Sequence, residues 1–221
     1  MHSVASRILS CAAVIIASAL AAACTTQPTV AEAPVAAAPT EPVDERILGS
    51  SEAPVMIIEF TDLQCPYCAR FALTTWPELK RQYVDTGKVR FATRDLPLPF
   101  HAFALPAAVA ARCAGRQGRF WEYREVLFRN QSQLPADPHA GLAQSLGLDV
   151  AKFADCRSDP ALARMVQADA ALAAASNINS TPTFVIGRVV DGNFDGEMLS
   201  GAQPFEVFQA RIDSLLQQAG Q

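Results

Sequence analysis

The sequence predicts an α/β protein in which an all-helical segment is inserted between two halves of a sheet. Apolar, β-branched runs occur at both ends of the region after residue 43, a CxxC motif separates the first run from a helix, and the alanine-rich middle has the helical period. The chain has 221 residues, half of them hydrophobic, which is enough to bury the core of one ordinary domain. We therefore expect one folded domain over residues 44–221.

The first half of the predicted sheet has the order β-α-β. Val55–Phe60 is a nearly continuous apolar run, typical of a strand buried on both faces. The helix that follows is expected to kink at Pro77 and to end at Gly87, and Val89–Thr93 is the next predicted strand. The CxxC motif therefore lies where the first strand gives way to a helix.

The helical insertion is predicted over about residues 101–176. Asp159-Pro160 supplies a cap and a first-turn proline for its last helix. The sheet is expected to resume with a strand at Thr183–Ile186, a turn at Gly187–Arg188 and a second strand. Phe205–Leu216 is predicted to be a closing amphipathic helix.

Residues 1–23 have the pattern of an export signal. A short basic start precedes the apolar stretch Ile8–Ala23, which ends in small residues. A transmembrane anchor is the alternative, but an apolar stretch of about 16 residues is shorter than the ~20 that a bilayer requires. The expected location is the periplasm or the cell envelope.

Leu20–Cys24 resembles the lipobox of bacterial lipoproteins, although its leucine lies one position too early. Lipidation of Cys24 is expected, and ordinary secretory cleavage is the alternative. Residues 24–43 are rich in alanine and proline, which is typical of a tether without a core of its own. Membrane contact is therefore expected only through a lipid anchor at Cys24.

Two classes of function do not fit the sequence. The formal net charge is −4 and no run of lysine or arginine is present, so a nucleic-acid partner is not expected. Zinc sites also use the CxxC spacing, but they need two further ligands. Beyond the N-terminal segment, His101 and His139 are isolated from each other. We therefore expect no metal ion.

The segment Cys65-Pro66-Tyr67-Cys68 fits thiol-disulfide exchange. The thiolate is the reactive species, and free backbone N–H groups and the helix dipole stabilise it at a helix N-terminus. Pro66 suits the first helical position, and Cys68 lies one turn further along. Cys65 is therefore predicted to be the nucleophile and Cys68 the more buried resolving thiol, with no cofactor beyond this redox-active disulfide.

Two distant features could belong to the same site. Glu59 is an acid inside the apolar strand; if buried, it would have a raised pKa and could relay the proton of Cys68, whereas an exposed position would give it no such role. Thr181-Pro182 precedes a strand, where a cis proline could present the backbone of Thr181 to an extended substrate. An ordinary trans proline is the commoner alternative.

Together these residues resemble the DsbA-like branch of the thioredoxin superfamily, from about residue 44 to the end of the chain. The resemblance implies a thioredoxin-like fold with an inserted all-helical subdomain. It also implies a nucleophilic Cys65, a Thr181 in contact with the cysteines and the substrate, a cis Pro182, and a Glu59 that tunes Cys68. Pro66 and Tyr67 would then also border the bound substrate.

The resemblance implies that the oxidised cysteine pair accepts electrons from exported proteins that contain cysteines, and that a membrane redox partner reoxidises it. The best-known DsbA oxidases have histidine where this chain has Tyr67, and Tyr67 cannot add a positive charge beside the thiolate. A reductase or isomerase of the same fold is therefore one alternative. A peptide-binding surface lipoprotein with a static disulfide is another.

Cys113 and Cys156 remain outside the motif. Both are predicted at the ends of insertion helices, and in an oxidising compartment we expect them to form a second, structural disulfide rather than two reduced thiols. His101, Trp76 and Trp121 are interpreted as structural, because a histidine that opens an alanine-rich helix is more often a cap or a packing residue than a catalyst.

Overall fold

The structure, a computed structural model, describes residues 44–190 and 193–219. The described residues form a mixed five-stranded sheet in the order β1-β3-β2-β4-β5. Strand β2 lies at its centre, parallel to β3 and antiparallel to β4. The strands are β1 (Ile47–Leu48), β2 (Val55–Thr61), β3 (Val89–Asp95), β4 (Thr183–Val190) and β5 (Asn193–Ser200).

A continuous helical run follows β2. It consists of α1 (Pro66–Arg70), a π-helical turn (Phe71–Thr75), α2 (Trp76–Leu79) and a second π-helical turn (Lys80–Val84). Pro77 lies in the first turn of α2, directly after a π-helical turn. Its missing N–H thus coincides with an interruption of the regular α-helical ladder.

The insertion between β3 and β4 is helical, as the sequence predicts. Asp149 caps α6 (Val150–Arg157) by accepting from the N–H of Lys152 (3.0 Å), and Asp159 caps α7 (Pro160–Ala175) by accepting from that of Ala161 (2.9 Å). A final helix, α8, packs on the sheet after β5. The helices are α3 (Ala104–Gly115), α4 (Phe120–Arg129), a 3₁₀ helix (Gln131–Ala136), α5 (His139–Ser145), α6 (Val150–Arg157), α7 (Pro160–Ala175) and α8 (Phe205–Ala219).

Three apolar clusters lie among the described residues, and the two larger ones organise the interior. One joins the sheet to the first helical run and α8 through aromatic contacts; Phe71 lies 4.5 Å from Phe184 and 5.4 Å from Phe208, measured between ring centroids. The other fills the helical insertion, and it includes Cys65 and Cys68. The CxxC motif therefore lies where the two parts of the domain meet.

The turn predicted at Gly187–Arg188 is wrong. Both residues lie within β4, and Gly187 pairs with Gly196 of β5. A β-carbon at Gly187 would come within 1.8 Å of the carbonyl oxygen of Asp195. This glycine therefore permits a close approach of two strands and does not mark a turn.

Several predictions concern the N-terminal segment. The export signal at residues 1–23, the tether at 24–43 and the lipidation site Cys24 lie outside the described residues. Among residues 44–190 and 193–219, no helix combines the length and the apolar character needed to cross a membrane.

Candidate active site

The CxxC motif lies at the junction between β2 and α1. Cys65 is the N-cap of α1, with an extended backbone (φ −71°, ψ 125°), and Pro66 begins the helix. The N–H of Ala69 donates to the carbonyl of Cys65 (3.1 Å), which is the first helical hydrogen bond. This geometry holds the Cys65 sulfur beside the free N–H groups of the first turn.

The two cysteines are not joined in a disulfide, and their surroundings shift their pKa values in opposite directions. A hydrogen bond from the thiol of Cys68 is the main cause that lowers the pKa of Cys65 to about 5. The hydroxyl of Thr181 and the backbone N–H groups of Tyr67 and Cys68 act in the same direction, against the effect of burial. Cys65 is therefore a thiolate at neutral pH.

Cys68 is fully buried, and burial is the main cause that raises its pKa well above the ordinary value. Its hydrogen bond to Cys65 and the negative charge of Glu59 raise the pKa further. One interaction opposes these effects: the backbone N–H of Asp62 donates to the Cys68 sulfur at 3.4 Å. The pair thus consists of one stabilised thiolate and one protonated thiol.

The segment Thr181-Pro182 borders the cysteines. Its peptide bond is cis, and the carbonyl oxygen of Thr181 lies 3.5 Å from the sulfur of Cys65. On the outer side of the motif, Tyr67 is 57% exposed, and the guanidinium of Arg70 lies 5.2 Å from the centre of its ring. The structure therefore brings Thr181, Pro182 and the CxxC residues together, as the resemblance to the DsbA-like branch implies.

Glu59 is fully buried in β2, which decides between its two predicted environments. Both of its oxygens accept from the Nη2 of Arg124, at 2.6 and 2.9 Å, and Arg124 is also buried. Burial raises the pKa of Glu59, and the positive charge of Arg124 opposes that rise. No local pattern in the sequence singles out Arg124.

His101 has a contact that the sequence analysis also missed. Its Nδ1 lies 2.8 Å from the Oδ2 of Asp62, three residues before Cys65. The histidine precedes α3, whose N-cap is Phe103, so of the two structural roles predicted for His101, a cap or a packing residue, it does not have the first. An Asp three residues before a CxxC and an isolated histidine were the only signals available in the sequence.

The other predicted site residues lie apart from this cluster. Cys113 in α3 and Cys156 in α6 form the disulfide that the sequence analysis favoured, so it lies within the insertion. Within the two described ranges, no group of three or more His, Cys, Asp or Glu side chains could hold a metal ion.

Comparison with known proteins assigns the family. The family model described as thioredoxin matches residues 41–213. This chain belongs to the thioredoxin family. Within it the chain is DsbA-like: alpha-DsbA1 of Wolbachia pipientis superimposes with a TM-score of 0.69 at 27% identity, covering 79% of this chain and 92% of that one.

This chain matches only part of the length of each of the two curated relatives described below. A Rickettsia felis protein, provisionally named a protein-disulfide oxidoreductase, is 26% identical over 72% of this chain and 59% of that protein. The Na(+)/H(+) antiporter NhaA 1 of Salinispora arenicola is 35% identical over 74% of this chain but only 25% of the antiporter. The thioredoxin-family chain thus spans about a quarter of the antiporter's length.

Proposed function

We propose that this protein is an exported thiol-disulfide oxidoreductase that oxidises cysteine pairs of extracytoplasmic proteins through a Cys65–Cys68 disulfide. The observation that carries the proposal is the asymmetry of the two thiols. The pKa of Cys65 is lowered to about 5, whereas that of the buried Cys68 is raised. Such a pair contains a stable leaving thiolate and a thiol shielded from solvent.

The proposed reaction has two exchange steps. A substrate thiolate attacks the Cys65 sulfur of the oxidised protein; the Cys65–Cys68 bond breaks, a mixed disulfide forms, and Cys68 leaves as a thiolate that takes up a proton. The second substrate thiolate then attacks the substrate sulfur of the mixed disulfide. The substrate disulfide forms, and Cys65 leaves as a thiolate carrying the electron pair. A membrane redox partner would accept those electrons and restore the Cys65–Cys68 disulfide.

The low pKa of Cys65 supports the oxidising direction. A stabilised thiolate lowers the free energy of the reduced protein, so the disulfide form becomes the stronger oxidant. The geometry of Thr181 supports substrate binding, since its carbonyl lies against the Cys65 sulfur in a segment suited to pair with an extended peptide. The apolar stretch at residues 8–23 supports export, and lipidation at Cys24 would keep the protein at the cell envelope.

The first experiment captures substrates as mixed disulfides. The full chain carrying Cys68→Ser retains the nucleophile and lacks the resolving thiol, so it should accumulate disulfide-linked complexes visible on non-reducing gels. Cys65→Ser is the matched control, because it removes a sulfur from the same motif and leaves only Cys68, whose pKa is raised by burial. Equal recovery of complexes from both variants, or none from either, would favour a static peptide-binding protein.

Direction is tested in cells. Alkylation of acid-quenched cells reports the fraction of the Cys65–Cys68 pair that is oxidised. An oxidase is mostly oxidised at steady state, because its partner regenerates the disulfide. A mostly reduced pair would favour a reductase or an isomerase.

A further inference from the structure

The backbone of Asp62 contacts both redox-active cysteines. Its N–H donates to the Cys68 sulfur at 3.4 Å, and its carbonyl accepts from the N–H of Cys65 at 3.0 Å. The donor on Cys68 is important because burial, Cys65 and Glu59 all disfavour the thiolate there, and the Asp62 N–H opposes them. The orientation of one peptide group therefore affects the charge that the Cys68 sulfur can carry.

The side chain of Asp62 is anchored from two directions. Oδ1 accepts from the N–H of Gln64 (2.7 Å), which closes a turn directly before the motif. Oδ2 contacts the N–H of Leu98 and the Nδ1 of His101, each at 2.8 Å. The carboxylate itself has no solvent exposure, so these partners replace its water.

His101 joins this turn to a separate loop. The loop after β3 is fixed against the turn by a bond from the N–H of Phe103 to the side chain of Gln64 (2.7 Å) and by the imidazole on Asp62. In the same loop, the strongly exposed Phe100 packs its ring on His101, with 4.7 Å between the ring centroids. The imidazole thus contacts both the carboxylate of Asp62 and the ring of Phe100.

We propose that Asp62 and His101 form a positioning pair, which holds the Asp62 N–H on the Cys68 sulfur and stabilises that sulfur as it leaves the disulfide. The inference rests on the proposed exchange reaction and assigns His101 to one of its steps. When a thiolate attacks Cys65, the Cys65–Cys68 bond breaks and its electron pair passes to Cys68. His101 touches neither sulfur; it acts through Asp62.

The Asp62–His101 pair should affect the rate of the step in which Cys68 leaves and not that of the step in which Cys65 leaves. In the opening step Cys68 leaves, beside the Asp62 N–H. In the release step, in which a thiol resolves the mixed disulfide, Cys65 leaves, and its thiolate is stabilised mainly by other groups. A merely structural role of His101 would slow both steps together.

The test uses the full oxidised chain and reduced glutathione as the attacking thiol, with acid quench and mass spectrometry. His101→Leu should slow opening about tenfold, the factor expected when a hydrogen bond to a developing charge is weakened. His101→Asn places an amide nitrogen close to the position of the imidazole Nδ1. It can therefore still donate to Asp62 and should recover most of the rate. His139→Leu is the matched control, since His139 bonds to Tyr123 in the insertion, and it should open at the wild-type rate.

The release step is measured on the glutathione adduct of Cys68→Ser, with and without His101→Leu, and its rate should change less than twofold. Opening of His101→Leu within twofold of the wild type would overturn the inference, and so would equal slowing of both steps. If His101→Leu does not fold, His101→Ser replaces it, because serine is polar but too short to reach Asp62. A wild-type disulfide that glutathione does not open would instead refute the proposed function.

Discussion

The buried ion pair beneath the motif leads to a sharp prediction about stability. Arg124→Met removes the cation that faces Glu59, and the two side chains are only 2% and 0% exposed, so water cannot replace the lost partner. Breaking a buried pair from one side costs about 3–5 kcal/mol. For a domain of this size that loss corresponds to a fall in Tm of roughly 6–20 °C.

Urea unfolding at pH 7, followed by circular dichroism, measures the free energy for the wild type, Arg124→Met, Glu59→Gln and the double variant. The double variant should lose less than the sum of the single losses, because no charge is then left unpaired. Arg129→Met is the matched control: it breaks an exposed pair with Glu125 on the same helix, and it should change stability by less than about 1 kcal/mol. An Arg124→Met loss as small as that of Arg129→Met, or strict additivity in the cycle, would show that the buried charge of Glu59 does not depend on Arg124.

Three further predictions concern the cysteines. The alkylation rate of Cys65 in the reduced protein should be constant at neutral pH and fall as the pH drops through about 5, where the thiolate is protonated. Between pH 5 and 9 the unfolded chain keeps a proton on Cys65 that the folded chain has lost. The free energy of unfolding of the reduced protein should therefore rise over that range, relative to that of Cys65→Ser. A difference that does not change with pH would contradict the lowered pKa of Cys65. Replacing both Cys113 and Cys156 by alanine opens a loop with a sequence separation of 43 and should cost about 4 kcal/mol in urea unfolding, and a loss below about 1 kcal/mol would argue against a stabilising disulfide.

Local patterns in the sequence predict the position of the reactive motif. The apolar run that forms β2, the CxxC and Pro66 together place Cys65 at a helix N-terminus, and the structure has it there. The Asp159 cap of α7 is predicted for the same reason. In these cases the physics acts within a few residues, so that neighbours along the chain carry the information.

Other features depend on partners that are distant in sequence. Arg124 lies in an amphipathic helix, where an arginine ordinarily faces water, and its partner Glu59 is 65 residues away. His101 meets Asp62 only because the loop after β3 folds back against the motif. Gly187 is typical of a turn when only its neighbours in sequence are considered, whereas in the structure it pairs with Gly196 of β5. Such roles arise from tertiary packing, which no local pattern encodes.

The reduction potential of the Cys65–Cys68 pair shows whether the protein donates disulfides or reduces them. It would be determined by equilibration with glutathione on a fragment that begins at Thr25, with the Cys113–Cys156 disulfide monitored separately. The low pKa of Cys65 predicts a potential on the oxidising side of thioredoxin, toward the value of about −120 mV that is typical of a disulfide donor such as DsbA. A value near about −270 mV, as in thioredoxin, would contradict the proposed direction and identify the protein as a reductase.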